Sequence, residues 1–325
     1  MSINKGILLV GGKGTRLAPL TDNTPKPMLK VAGKPVTEHQ IIKARESGIT
    51  DLVLATSYMA EVFEPYFGDG SRFGVSITYA VESEPLGTGG AIANAAQYLD
   101  LTDDESIAVF NGDVLSAHNL ANQIKLHEGL NSDVTLFLTK VDDPRAYGCV
   151  PIDADQKVLS FLEKMENPVA DTINAGCYIF RKSALNQIPV GVVVSVERDT
   201  FPRLLSDGFN LYGYLDTSYW IDMGTPHSFI KASRDLLLNP ELSAATQGVY
   251  QGSLIGQRAE IHSSAKVGDG SVIGDEVRIS ENVMISGSMI SDGVFIGAGA
   301  VIRNSYVAKD RVIAANSELD GVVIG

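Results

Sequence analysis

The sequence predicts an α/β chain in two parts, a doubly wound parallel sheet covered by helices and then a parallel β-helix. Two patterns carry that prediction. In the first part, short apolar runs alternate with helical stretches, the order that builds parallel sheets whose ligands lie beyond the carboxyl ends of the strands. In the second, Ile255, Ile261, Val267, Ile273, Ile279 and Ile285 recur at every sixth position. The count slips by one to Ile290, continues at Ile296 and Ile302, slips again to Val307 and reaches Ile313. One aliphatic residue in six, followed by Gly, Ala or Ser, is the hexapeptide repeat of a β-helix, three hexads to a triangular coil. A length of 325 residues and a hydrophobic content of 44% accommodate two cores. The predicted boundaries are 1–236 for the sheet domain, 237–252 for a polar linker and 253–325 for the solenoid.

The first element, Ile7 to Val10, has no polar interruption and suits a strand buried on both faces. Gly11, Gly12 and Gly14 follow in a turn whose bare N–H groups can approach phosphate oxygens. Glycines after a strand also serve simply to close a tight connection. Arg16 comes next, and Lys26 stands between Pro25 and Pro27, whose rings stiffen the segment and lower the entropic cost of holding the ammonium in place. Residues 37–47 read as a helix stopped by Gly48, 51–55 as a strand, 59–67 as helical and 75–81 as a strand.

The loop from Glu82 to Gly90, with Glu84, Pro85, Gly87 and Thr88, leads into an Ala-rich helix over 91–98. Its glycines leave room for a planar ring or a phosphate. Ile107 to Phe110 is a strand ending in Asn111-Gly112-Asp113, and an aspartate at such a strand end can hold a hard cation through oxygen. Beyond it the alternation breaks. Residues 133–141 read as a strand, 147–151 and 158–163 as a pair, and 173–180 as a further strand. Ser195 caps a helix with Glu197 and Asp199 in its first turns, and Trp220-Ile221-Asp222 is another strand end before a helix.

Two familiar phosphate templates fail: no Gly-Lys-Ser/Thr closes the first glycine run, and no acidic residue follows at the ribose-binding spacing. The run GGKGTRLAPLT from Gly11, followed by PKPM from Pro25, instead resembles the signature of the sugar-1-phosphate nucleotidyltransferases, which make nucleoside diphosphate sugars and release pyrophosphate. SVERDTFP from Ser195, Val10-Gly11-Gly12 and Leu86-Gly87-Thr88 are similar to elements of the mannose-1-phosphate guanylyltransferases within that family. The resemblance implies a Rossmann-like doubly wound nucleotidyltransferase domain followed by a left-handed parallel β-helix.

It also implies roles. Val10, Gly11, Gly12, Gly14, Thr15, Glu82, Pro85, Gly87, Thr88, Asn111 and Gly112 would hold the nucleotide. Gly148, Glu163, Lys164, Asn174 and Gly176 would hold the sugar phosphate, Asp113 and Asp222 a Mg²⁺ ion, and Arg16 and Lys26 would be catalytic. Pyrimidine-specific relatives commonly have glutamine where Glu82 stands. Guanine presents two adjacent donors, N1–H and the 2-amino group, so a carboxylate there, Glu82 or else Glu84, favours guanine.

The implied reaction joins GTP and mannose 1-phosphate into GDP-mannose and pyrophosphate. Same-class alternatives are a glucose-1-phosphate uridylyl- or thymidylyltransferase and a heptose-1-phosphate guanylyltransferase. A non-catalytic regulatory paralogue would tend to lose the basic and metal groups, which are all present. An acyltransferase built on the β-helix would want a histidine inside the coils, and only His262 lies in the repeat.

A net charge of −13 argues against binding nucleic acid or an anionic membrane surface. Cys149 and Cys177 lack any zinc-like spacing and read as buried thiols of a reducing compartment. No apolar run reaches the ~18 residues of a membrane span, so a cytoplasmic protein is expected. The β-helix reads as an assembly surface, giving a homo-oligomer.

Overall fold

In the computed structural model, residues 3–162, 164, 166–247 and 252–325 are described. They group into two units, Met1–Gly12 with Gln40–Trp220, and Lys13–His39 with Ile221–Gly325.

The first unit is built on seven strands: β1 Lys5–Leu9, β2 Asp51–Thr56, β3 Ser76–Val81, β4 Ser106–Asn111, β5 Val134–Lys140, β6 Thr172–Arg181 and β7 Leu211–Leu215. Their order across the sheet is β7-β5-β6-β4-β1-β2-β3. β1 runs parallel to both β2 and β4, β2 to β3, and β5 to β7. β6 is antiparallel to its neighbours β4 and β5. The reversed strand therefore falls where the sequence alternation breaks. Since β2 and β3 lie on one side of β1 and β4 on the other, the winding reverses between β1 and β4. That switch point is where doubly wound sheets receive ligands. The central strands β1, β2 and β4 are apolar and buried along nearly their whole length, as strands covered on both faces are, and Ile7, Val53, Val109, Leu136, Tyr178 and Phe180 lie in one buried cluster.

Helix α1 spans Val36–Glu46 and ends before Gly48, whose φ of 87° suits a helix stop. The helical stretch predicted over 59–67 is instead a 3₁₀ turn at Ala60–Val62 and a single α turn at Glu64–Phe67. Pro65 has no N–H to give a longer helix, and Met59 already sits at φ 53°. Helix α2, Gly87–Ala96, begins at the glycines themselves rather than at Ala91. Helix α3, Leu120–Gly129, is capped by Asn119, whose side chain accepts from the Asn122 N–H. The pair predicted at 147–151 and 158–163 reduces to two isolated bridges, Cys149 with Leu162 and Ile152 with Val158. Ser195 caps as predicted, accepting from the Arg198 N–H, but the turn it opens, Val196–Thr200, is π-helical before the α turns of Phe201–Ser206.

The second unit contains the solenoid, three parallel sheets of five, four and four strands. Leu254 pairs with Val272, and Val272 with Met289, so the coil shortens from eighteen residues to seventeen. That shortening is the slip in the aliphatic count at Ile290 and Val307. Ser288 and Ser305 sit buried at the shortened corner in line with Ser271. Their hydroxyls form a ladder: Ser288 N–H donates to Ser271 Oγ at 3.4 Å, Ser305 N–H to Ser288 Oγ at 3.1 Å and Val322 N–H to Ser305 Oγ at 3.0 Å. Inside, Ile273, Ile279, Ile285, Ile296 and Ile302 form a stacked aliphatic core.

Helix α4, Pro226–Leu238, opens on a capping box between Thr225 and Ser228 and packs along this unit. Its His227 Nε2 lies 3.0 Å from the Gly321 carbonyl oxygen, and Arg234 donates to Asn304 Oδ1 at 3.4 Å. Of the stretch predicted as a linker, 248–251 lie outside the described residues. No helix among the described residues is long and apolar enough to cross a membrane.

Candidate functional site

In the first unit the residues predicted for the nucleotide gather at the carboxyl ends of β1, β3 and β4. Val10 is fully buried and donates its N–H to the Ala55 carbonyl at 2.9 Å, extending the ladder one residue past β1. Gly11 accepts from Ser57 Oγ at 2.8 Å, while Gly12 faces open space. Gly112 donates to the Leu9 carbonyl at 3.0 Å, and a side chain at Gly112 would run into that carbonyl. The glycine therefore lets the turns after β1 and β4 touch, backbone to backbone. Asp113 follows, half-buried, on the turn between β4 and the short strand Val114–Ser116.

Helix α1 anchors that turn from behind. Gln40 Nε2 donates to the Asn111 and Val114 carbonyls at 2.6 and 3.0 Å, and Lys43 Nζ donates to the Ser116 carbonyl at 2.7 Å. Burial pulls the Lys43 ammonium down to about 8. Neither residue stands out in sequence, where both read as polar positions on an amphipathic helix.

Glu82 leaves the end of β3 half-buried, whereas Glu84 and Pro85 are exposed. One carboxylate oxygen of Glu82 accepts from the Leu86 N–H at 3.3 Å, and the other is buried with no hydrogen-bond partner among the described residues. Burial raises its pKa above the usual carboxylate range. An acceptor held this way has unused capacity for a ligand's donors. Gly87, at φ 72°, and Gly90 pack against the backbone of the 192–194 segment, where a Cβ would stand 2.6 Å from the Val194 oxygen and 2.5 Å from the Val192 oxygen. Thr88 accepts from the Val196 N–H at 2.9 Å and donates to Glu197 Oε2 at 2.9 Å.

Of the residues predicted for the sugar phosphate, Asn174 and Gly176 occupy β6. Gly176 has φ 80° and lies against Asn111, where a Cβ would come within 3.2 Å of Asn111 Nδ2. Gly148, also at positive φ, is buried behind Tyr147, whose ring meets Trp220 edge-on at 5.5 Å. Lys164 is exposed, and Glu163 lies outside the described residues. Tyr178 and Glu197 join this cluster without having been picked out from the sequence. Tyr178 sits in an apolar strand and reads as core, and Glu197 reads as a helix-start acid.

In the second unit, Gly14 has φ 63° and opens the 3₁₀ turn Thr15–Leu17, on which Thr15 and Arg16 are exposed. A Cβ on Gly14 would stand 2.8 Å from Lys26 Cβ, so the glycine lets the signature loop fold onto its own lysine. Lys26 is only 6% exposed. Its ammonium reaches Asp222 Oδ1 at 3.9 Å, joining positions at opposite ends of the predicted sheet domain. Arg16 is beside them: a Cβ on Gly224 would lie 3.2 Å from Asp222 Oδ2 and 3.3 Å from Arg16 Nη2. A guanidinium, a buried ammonium and a carboxylate thus share one corner, suited to phosphate oxygens and a cation between them. Asp222 supplies carboxylate oxygens to that corner, the kind of donor that hard divalent cations take.

Residues 5–239 match the family described as Nucleotidyl transferase, and residues 249–325 match the GMPPB C-terminal domain. The chain is 49% identical over 260 residues to a mannose-1-phosphate guanylyltransferase of Mycobacterium tuberculosis, covering 80% of this chain and 72% of that one. It is 36% identical over 270 residues to a mannose-1-phosphate guanyltransferase of Yarrowia lipolytica, covering 81% and 73%. Among solved structures, HddC from Yersinia pseudotuberculosis complexed with GMP-PN is similar at 30% identity and a TM-score of 0.60, covering 72% of this chain and all of that one. Enzymes of this kind generally use a divalent metal ion. With its glycine-rich turns at the switch point and its Arg-Lys-Asp corner, the chain belongs to the nucleotidyl transferase family.

Proposed function

We propose that this protein transfers GMP from GTP to mannose 1-phosphate, forming GDP-mannose and pyrophosphate by in-line, Mg²⁺-dependent nucleotidyl transfer. The observation that carries the nucleotide is Glu82, a half-buried carboxylate beside Gly87 with an acceptor oxygen that no described residue uses. Guanine offers two adjacent donors to such a group, whereas uracil and thymine each offer one N–H between two carbonyls. The relatives named above support mannose as the sugar.

A phosphate oxygen of the sugar phosphate attacks the α-phosphorus of GTP while pyrophosphate leaves on the opposite side. The nucleophile is already anionic, so no side chain need remove a proton, and the residues contribute by positioning and neutralising charge. Lys26 neutralises the α-phosphate during attack, and its burial removes competing water. Arg16 stabilises charge on the α-phosphate and the departing pyrophosphate. Asp113 and Asp222 would hold the Mg²⁺ ion, which when bound supplies positive charge to the phosphates. Val10, Gly11, Gly12, Gly14, Thr15, Pro85, Gly87, Thr88, Asn111 and Gly112 shape the nucleotide side. Gly148, Glu163, Lys164, Asn174 and Gly176 take the sugar phosphate. In this reading residues 1–236 are catalytic, 237–252 link, and 253–325 are a left-handed β-helix through which a cytoplasmic homo-oligomer assembles.

The test is pyrophosphate release with GTP, UTP and dTTP each paired with mannose 1-phosphate, and GTP paired with glucose 1-phosphate. GTP with mannose 1-phosphate should give the largest kcat/KM by about tenfold or more, the discrimination expected of one or two specific hydrogen bonds. Equal use of UTP or dTTP would overturn the nucleotide, and equal use of glucose 1-phosphate would overturn the sugar.

A further inference from the structure

One buried hydroxyl ties together stretches of the first unit that are far apart in sequence. Tyr178 is fully buried in β6. Its oxygen accepts from Asn174 Nδ2 at 2.8 Å and Asn111 Nδ2 at 3.2 Å, and it donates to Glu197 Oε1 at 3.3 Å. The second Glu197 oxygen accepts from Thr88 Oγ1 at 2.9 Å and Ser195 Oγ at 3.0 Å.

The direction of these bonds follows from valence. A phenol has one proton and lone pairs for two acceptances, and an ionised carboxylate has only lone pairs. Tyr178 must therefore give its proton to Glu197, and both of its lone pairs face amide nitrogens. Burial and the neighbouring Glu197 charge push the Tyr178 hydroxyl well above the usual range, so it keeps the proton it donates. Both asparagines are consequently held nitrogen-first toward Tyr178. The Asn174 oxygen is occupied by the Gly176 N–H at 3.1 Å, leaving its second amide hydrogen to offer. The Asn111 oxygen is buried with no hydrogen-bond partner among the described residues, leaving an acceptor.

We infer that Tyr178 and Glu197 are positioning residues that fix the polarity of two neighbouring amides, so that beside Gly176 Asn174 presents a donor and Asn111 an acceptor. The ligand feature that matches is a pair of adjacent sugar hydroxyls, one accepting and one donating. This deepens the proposed function: it rests on the assignment of Asn174 to the sugar phosphate and moves the Asn111 side chain from the nucleotide side to the sugar. Glu197 does two jobs with its two oxygens, orienting the amides through one and holding Thr88 in the first turn of α2 with the other.

The test varies each substrate separately in Tyr178→Phe, which leaves the Thr88–Glu197 bond in place, and follows solvent exchange of the Asn111 and Asn174 side-chain amide hydrogens by NMR. The expected result is a rise of about tenfold in KM for mannose 1-phosphate, the size of one lost specific hydrogen bond. KM for GTP should stay within about twofold, and both amides should exchange faster. Glu197→Gln, whose amide can donate to the phenol and so release its direction, should also raise the sugar phosphate KM. Tyr178→Phe with unchanged amide exchange and an unchanged sugar phosphate KM would overturn the inference. So would equal increases in both KM values alongside a lower thermal midpoint, the mark of a merely structural role. If Asn174→Ala leaves the sugar phosphate KM unchanged while Tyr178→Phe still speeds amide exchange, the sugar assignment falls and the positioning role stands.

Discussion

In the proposed reaction single side chains carry the chemistry, each because of what surrounds it. Lys26 is almost fully buried with its ammonium 3.9 Å from Asp222, so its charge acts in a medium that screens it poorly. Lys26→Ala and Asp113→Ala should each lose more than about 2 kcal/mol of transition-state stabilisation, roughly thirtyfold or more in kcat/KM. Steady-state pyrophosphate release checks this, and turnover within threefold of wild type would reject the roles. Glu82→Gln should lower kcat/KM for GTP about tenfold or more, because a hydrogen bond to a charged acceptor is worth about 1.5–3 kcal/mol. The same substitution should affect UTP less. Since burial raises the Glu82 carboxyl above its usual range, acidification protonates it earlier than an exposed glutamate. The preference for GTP over UTP should therefore narrow as pH falls, which a comparison of the two nucleotides across pH measures. Of these residues the signature pair Arg16 and Lys26 was legible in sequence, because the motif places them on a stiffened loop. The roles of Tyr178, Glu197 and Gln40 were not, because a buried tyrosine in an apolar strand and polar residues on helices look the same whatever they bond.

At the scale of elements, the structure stores histidines in neutral form. His127 on α3 lies between Ser106 Oγ and Thr135 Oγ1, each at 2.9 Å, and burial holds it down to about 3. His39 on α1 lies 3.0 Å from the Val31 carbonyl oxygen and 2.8 Å from Ser243 Oγ, and burial holds it down to about 4. In the unfolded chain both titrate near 6.5, so below that pH the unfolded state binds protons that the folded state refuses. Their contribution is complete above about pH 6.5 and is lost as pH falls toward 4 and then 3, at ~1.4 kcal/mol per pH unit for each histidine. Urea midpoints should be flat from pH 8 to 7 and fall steadily below 6.5. His127→Gln should make that slope shallower, and an unchanged slope would reject the assignment. In the solenoid, Ile296 is fully buried between the aliphatic rungs of adjacent coils. Ile296→Ala should cost about 2–5 kcal/mol in chemical denaturation, the usual range for a buried aliphatic truncation that cannot collapse. The hexad period made these elements legible; the serine ladder through Ser271, Ser288 and Ser305 was hidden, since a buried serine has no periodic apolar signature.

For the whole molecule, a net charge of −13 disfavours non-specific contact with polyanions, so a polyphosphate site calls for a local cation cluster. On one face of the solenoid Phe295 and Val312 pair as adjacent rungs yet stay 43% and 74% exposed. Apolar side chains side by side on a flat strand stack favour burial in an assembly. Light scattering should give a mass of at least two chains, and Phe295→Glu should shift it toward one; a wild-type monomer at ~100 µM, well above the Kd of a stable oligomer, would reject assembly. The sequence by itself determined the classes of element and the motif: apolar runs, glycine turns and a six-residue period are local features that act within a few residues. Only the tertiary structure decided that β6 runs against its neighbours, that Lys26 meets Asp222, and that one phenol directs two asparagines. Those outcomes depend on strand order and on which hydrogen-bonding group faces which, and chain neighbours do not encode either.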